Sequence, residues 1–160
     1  MTGIRLAFAA LLCALLPAAA VPADTAPPRY VMRHLDTPAG EPDPDLTAQG
    51  QARAQALVAW FAGKPLAAIY VSNYKRNRQT AAPLAAARGI AVTVYDPADT
   101  PALAARIKAE PGPVLVVGHA NTVPDIVAQL GGERPAALTH PDFGDIWTIA
   151  GGETEHAKLP

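Results

Sequence analysis

Residues 114–119 read Val114-Leu115-Val116-Val117-Gly118-His119. Four consecutive aliphatic residues with no polar alternation predict a central strand buried on both faces, as in a parallel sheet. The run opens after Pro111-Gly112 and stops at Gly118-His119, so a histidine is delivered to the strand's carboxyl end. Upstream, Tyr30-Val31-Met32 forms a similar short apolar run ending at Arg33-His34, and Ala68-Ile69-Tyr70-Val71 ends at Ser72. Val92-Thr93-Val94-Tyr95 supplies a further strand, rich in β-branched and aromatic residues.

Helical patterns lie between these strands. After the Pro-, Gly- and acid-rich loop from Asp36 to Asp45, Thr47 is placed to cap a helix whose apolar face is Gly50, Ala54, Leu57, Val58 and Phe61. A second helix is expected from about Arg76 to Arg88, stopped by Gly89, with a kink or restart at Pro83. Thr100-Pro101 suits the cap and first turn of a helix carrying Leu103 and Ile107. Thr122 opens another helix, through Leu130, closed by Gly131-Gly132. The tail, Ile146–Ile149, then Gly151-Gly152, then Glu153–Ala157, reads as a hairpin. Strands alternating with helices predict one α/β domain: three-layer, doubly wound, with a mostly parallel sheet, helices on both faces and a C-terminal hairpin.

The N-terminus has a different character. Arg5 precedes an apolar run from Leu6 to Leu16, Pro17 breaks it, and Ala18-Ala19-Ala20 offers small residues for cleavage. Residues 1–23 are therefore expected to be a signal peptide, cut near Ala20 or Ala23, with 24–28 a flexible lead-in and 29–160 the folded domain. The run is short for a membrane span, so a periplasmic or secreted protein with no stable membrane insertion is expected. Cys13, the one cysteine, lies within this segment. The mature chain is expected to have neither disulfide nor thiol chemistry.

A formal net charge of −1 leaves no global field to draw the chain to nucleic acid. Any anion site must be local. In open α/β sheets ligands bind beyond the carboxyl ends of the strands. His34, the polar stretch Ser72–Gln79 and His119 all fall on that rim. A neutral imidazole can take up a phosphoryl group covalently, and the planar fork of arginine matches phosphate oxygens. Arg33 and Arg76 can clamp such a group from two sides, with His119 as a further donor. The amides at the start of the Thr122 helix also favour an anion. Chemistry of this kind works by positioning and charge neutralisation, and no metal or other cofactor is expected.

These residues carry a resemblance. Tyr30-Val31-Met32-Arg33-His34 resembles the Arg-His motif of the histidine phosphatase superfamily, the phosphoglycerate mutase-like group. Leu46-Thr47 with Gly50 and Ala54 is similar to that family's Leu-Thr-x-x-Gly-x-x-x-Ala helix start. Ser72 to Ala81 resembles its second motif, in which the arginine before x-x-Gln-Thr-Ala is a phosphate ligand, here Arg76 and not Arg78. Val117-Gly118-His119 looks like its second-histidine motif. The four occur in register across roughly residues 29 to 150. The resemblance implies a phosphomonoesterase with His34 as nucleophile, and Arg33, Arg76, His119, Asn121 and Thr122 binding a small phosphorylated substrate; the expected export points to an envelope phosphate as the alternative.

Two departures stand out. Leu35 occupies the place of the family's usual Gly, and the loop that often supplies an acidic Glu is shortened. Asp36 is the preferred proton donor, ahead of Asp96, with Asp99 in the same loop. Glu41, Asp43 and Asp45 are expected to form a polar loop, Lys75 and Arg78 a solvated helix face, Thr80-Ala81 packing, and His140 and His156 the surface. A non-catalytic phosphate- or phosphoglycan-binding module on the same fold is the main competing function. A metal-dependent hydrolase built on His34, Asp36 and His119 is the other.

Overall fold

The computed structural model describes residues 26–160. The expected signal segment, residues 1–23, and the first two residues of the lead-in lie outside the described residues. The chain runs β1 (Arg29–Arg33), α1 (Ala48–Trp60), β2 (Ala68–Ser72), α2 (Lys75–Arg88), β3 (Val92–Tyr95), α3 (Thr100–Ala109), β4 (Val114–Gly118), α4 (Val123–Gln129), β5 (Asp145–Ala150) and β6 (Glu153–Lys158). The six strands form one sheet in the order β3-β2-β4-β1-β5-β6. The first four in that order are parallel, and β5 and β6 add antiparallel at one edge. Gly151 and Gly152, both at positive φ, make the two-residue turn of this hairpin.

The alternation of side chains along each strand divides the core into two layers. Tyr30, Met32, Ile69, Val71, Leu115 and Val117 pack with Ala54, Leu57, Phe61, Ala81 and Leu84 from α1 and α2. Val31, Tyr70, Val114 and Val116 pack on the opposite face with Leu103, Ile107, Ile126 and Val127 from α3 and α4. Every residue of β4 is buried, as its uninterrupted apolar run requires. This is the expected three-layer arrangement.

Strand order also determines where a ligand can sit. The chain leaving β1 passes over the α1 face to β2, whereas the chain leaving β4 passes over the α4 face to β5. Because neighbouring strands β1 and β4 send their connections to opposite faces, a crevice opens between their carboxyl ends. Arg33 is paired with Gly118, so the next residues, His34 and His119, emerge side by side into that crevice.

Two local details differ from expectation. Helix α2 does not restart at Pro83 but is continuous from Lys75 to Arg88, with buried Thr80, Ala81 and Leu84 holding both flanks against the core. Gly89 ends it at φ 63°, as expected. Asp99, not Thr100, caps α3: its carboxylate accepts from the Ala102 amide at 3.0 Å, while the Thr100 hydroxyl accepts from Gln129. Helix α4 starts after Thr122 and has Leu130 as its C-cap, as expected, with the Thr122 hydroxyl accepting from the His119 amide at 3.0 Å.

Candidate active site

The floor of the crevice is the pair His34 and His119, with ring centroids 5.6 Å apart and both side chains buried. His34 Nδ1 lies 2.9 Å from the carbonyl of Leu35. A carbonyl only accepts, so Nδ1 carries the hydrogen and donates, and Nε2 keeps its lone pair. Burial, followed by the nearby charges of Arg33 and Arg76, lowers the His34 pKa to about 3. The ring is thus neutral throughout the physiological range, the state a nucleophile needs. Leu35 serves this geometry without crowding the pocket. Its side chain is fully buried in the core, its carbonyl holds His34, and its amide donates to the Thr80 hydroxyl at 2.9 Å.

His119 is held from both sides. Arg76 Nη2 donates toward its Nδ1 at 3.4 Å, which leaves Nε2–H to donate to Ser72 Oγ at 2.8 Å. Burial, then Arg76 and Arg33, lowers its pKa to about 4. An incoming phosphate dianion offsets those cations and favours the imidazolium, converting His119 into a charged donor.

Arg33 is buried. Its Nη1 donates to the carbonyls of Thr139 and Asp142 at 2.8 and 3.0 Å, and its guanidinium lies 4.1 Å over the ring of Phe143. Its Nε is buried with no partner among the described residues. Burial pushes the Arg33 pKa down, Asp142 opposes this and Arg76 adds to it. Arg76 is fixed by the Pro42 carbonyl, by Asp43 at 3.3 Å and by the Tyr74 ring at 4.4 Å. Arg78 bonds only Asn73 on the surface, so the two arginines separate as expected.

A cavity of about 490 Å³ is lined by Arg33, His34, Arg76 and His119 together with Tyr74, Pro97, Ala98 and Asn121. A smaller one of about 290 Å³ shares the first three and adds Thr37, Glu41 and His140. The fold therefore brings together His34, Arg33, Arg76, His119 and Asn121. Two expected site residues are placed otherwise. Asp36 turns its carboxylate onto Arg53, at 2.8 and 2.9 Å, and lines neither cavity. In this structure it is the ion-pair partner of Arg53. The metal reading loses a ligand with it; among the described residues no group of three His, Cys, Asp or Glu side chains is placed to hold an ion. Thr122 lines the cavity but spends its hydroxyl on the His119 turn. The amides expected to meet an anion are also engaged: those of Thr122 and Val123 donate to the His119 carbonyl, and Pro124 has none.

Several supporting residues escaped the sequence reading. Asn77 is fully buried and donates to the carbonyls of Val117 and Gly118, tying the start of α2 to the end of β4. Thr80, expected to be packing, bridges the Leu35 amide and the Arg76 carbonyl. Asp43, expected to be loop surface, accepts from the Lys75 amide at the first turn of α2 and pairs with Arg76. Asp45 bonds Gln79 and Lys75. His140 is exposed, but its Nε2 donates to the Thr37 carbonyl at 3.0 Å on the rim of the smaller cavity. Gly50 has its own reason: a Cβ there would fall 2.5 Å from the Asp36 carbonyl oxygen, so only glycine lets α1 approach the segment after His34. The signal for Asn77 was a polar residue at a core-facing helical position, and Gly50 and Thr80 stood within the quoted motifs; Asp43, Asp45 and His140 carry none at sequence level.

Among solved structures, the fold is similar to that of the protein histidine phosphatase SixA complexed with tungstate: TM-score 0.65, 20% identity, covering 81% of this chain and 94% of that one. It is also similar to a mycobacterial glucosyl-3-phosphoglycerate phosphatase in complex with VO3, at TM-score 0.65 and 17% identity, covering 84% and 98%. No curated protein sequence matches significantly. Residues 30–97, which hold the Arg33-His34 pair and Arg76, match the histidine phosphatase superfamily (branch 1), and the chain has the phosphoglycerate mutase-like fold of that superfamily.

Proposed function

We propose that this chain hydrolyses phosphate monoesters through a phosphohistidine on His34. The observation that carries the proposal is the tautomer of His34: with Nδ1–H committed to the Leu35 carbonyl, Nε2 is an unprotonated nucleophile between two arginines. In the first step the His34 Nε2 lone pair forms a bond to phosphorus as the P–O bond to the leaving group breaks. The leaving oxygen departs with the electron pair and takes up a proton. In the second step water attacks phosphorus, gives up a proton, and releases inorganic phosphate and neutral His34. Arg33 and Arg76 neutralise the equatorial oxygens, and His119 adds a donor once the anion raises its pKa. A molecule that only binds phosphate has no need of a neutral imidazole at the centre of the site, which disfavours the binding-module reading.

The N-terminal sequence extends the proposal to export. Arg5, the apolar run Leu6–Leu16 and the small residues before Ala20 and Ala23 support a cleaved signal, with a substrate outside the cytoplasm. Purified mature protein is expected to hydrolyse p-nitrophenyl phosphate, to be inhibited by vanadate, to keep its activity in EDTA and to lose it in His34→Ala. Retention of turnover by His34→Ala overturns the mechanism. Mass spectrometry of the periplasmic fraction is expected to find a new N-terminus after Ala20 or Ala23; an intact Met1 there overturns export.

A further inference from the structure

Resting on the phosphatase reading, we propose that the leaving group is a flat, uncharged alcohol of low pKa, of the aryl type, stacked against Tyr74. The larger cavity alone touches all of His34, Arg33, Arg76 and His119. The phosphoryl group therefore occupies its floor, and the ester oxygen points into what remains of that cavity. That remainder is Tyr74, Pro97, Ala98, Ala120, Asn121 and Thr122, with no charged side chain among them.

Charge balance sharpens the argument. Arg33 and Arg76 face a phosphoryl dianion, and Arg76 is already shared with Asp43. A second anionic group on the substrate meets no further cation in this cavity, since neither Lys75 nor Arg78 lines it. Lys75 turns to Asp45, and Arg78 to Asn73. Tyr74 supplies the stacking surface. The residue is 38% exposed, and its ring is braced by the Arg76 guanidinium at 4.4 Å and edge-on to His119 at 5.0 Å. A braced aromatic ring at a pocket mouth favours a planar partner.

The acid groups point the same way. Asp36 is held by Arg53, Asp96 accepts from the Ala98 amide and Asp99 from the Ala102 amide. No carboxyl group among the described residues lines the cavity that holds the leaving group. The departing oxygen is then protonated by solvent, which suits an alcohol whose anion is already stable.

The test compares phenyl phosphate with p-carboxyphenyl phosphate, whose phenol is the slightly better leaving group. Phenyl phosphate is expected to have the higher kcat/KM by at least about tenfold, because the carboxylate enters a site with no free cation. Tyr74→Ala is expected to raise KM for phenyl phosphate roughly three- to tenfold, with Tyr74→Phe restoring it. The inhibition constant of inorganic phosphate should stay within about twofold, since phosphate lacks a leaving group to stack. Equal turnover of the two esters overturns the proposal. So does a phosphate inhibition constant rising in step with KM, which means that Tyr74 acts only through Arg76. A collapse of kcat in Glu41→Gln also overturns it, by moving the leaving group to the smaller cavity. A wild-type protein that hydrolyses neither ester nor p-nitrophenyl phosphate overturns the phosphatase reading itself.

Discussion

Lowering the pH should destabilise this protein in a way that traces to its pocket. His34 and His119 have an ordinary pKa of 6.5 and native values of about 3 and about 4. Between 6.5 and those values the unfolded chain binds protons that the native pocket refuses, so stability falls as pH drops through that window. At pH 5 neither ring is appreciably protonated in the native state, and the effect lies almost wholly in the unfolded chain, where the two rings titrate independently. Going from pH 7 to pH 5 therefore costs about 2 kcal/mol for each histidine, about 4 kcal/mol together. His34→Gln removes one of the two, so its loss over the same interval should be about 2 kcal/mol. Urea unfolding followed by Trp60 and Trp147 fluorescence, in phosphate-free buffers at the two pH values, measures both. If the native protein and His34→Gln lose the same stability between the two pH values, burial of a neutral imidazole at position 34 is refuted.

Three further substitutions probe the scaffold around the nucleophile. Thr80→Val leaves the buried Leu35 amide without its acceptor and should lower stability by about 1–3 kcal/mol and reduce kcat; Thr80→Ser should restore both, and an unchanged urea midpoint contradicts the assignment. Gly50→Ala drives a Cβ into the Asp36 carbonyl at 2.5 Å and should cost about 1–3 kcal/mol, read from the melting temperature; a neutral effect means that α1 does not approach the loop so closely. Asp36→Asn breaks the half-buried pair with Arg53 and should cost about 1 kcal/mol or less while leaving kcat for aryl and alkyl esters unchanged. A loss of about 100-fold in kcat restores Asp36 as the proton donor.

The architecture was legible because its signals are local and repeated. The unbroken apolar run of β4, the alternation of strands with helices, and Gly151-Gly152 before the last strand each dictate their own structure. So was the clustering of Arg33, His34, Arg76 and His119 around one cavity, since a strand in a parallel sheet delivers the residue after it to the rim. What the sequence withheld was the direction in which side chains at that rim turn. Asp36 stands two residues from His34, yet Arg53, seventeen positions away, claims its carboxylate. Thr122 looks like a helix cap but closes the turn at His119. Asp43 looks like loop surface but reaches the first turn of α2 and Arg76. Each of these choices is a competition between partners brought together by folding, and spacing along the chain carries no record of the winner. Pro83 is the opposite case: a strong local rule against helix yields to the buried contacts on either side.

The central claim is a covalent bond to one nitrogen of one residue. Rapid acid-free quenching of the enzyme during turnover, followed by phosphorus NMR and mass spectrometry of the digested chain, reports it directly. The account predicts an acid-labile, alkali-stable phosphate on His34, attached at Nε2 because the Leu35 carbonyl holds Nδ1–H. Phosphate on Nδ1, phosphate on another residue, or steady turnover with no phosphoenzyme at any point in the cycle contradicts it.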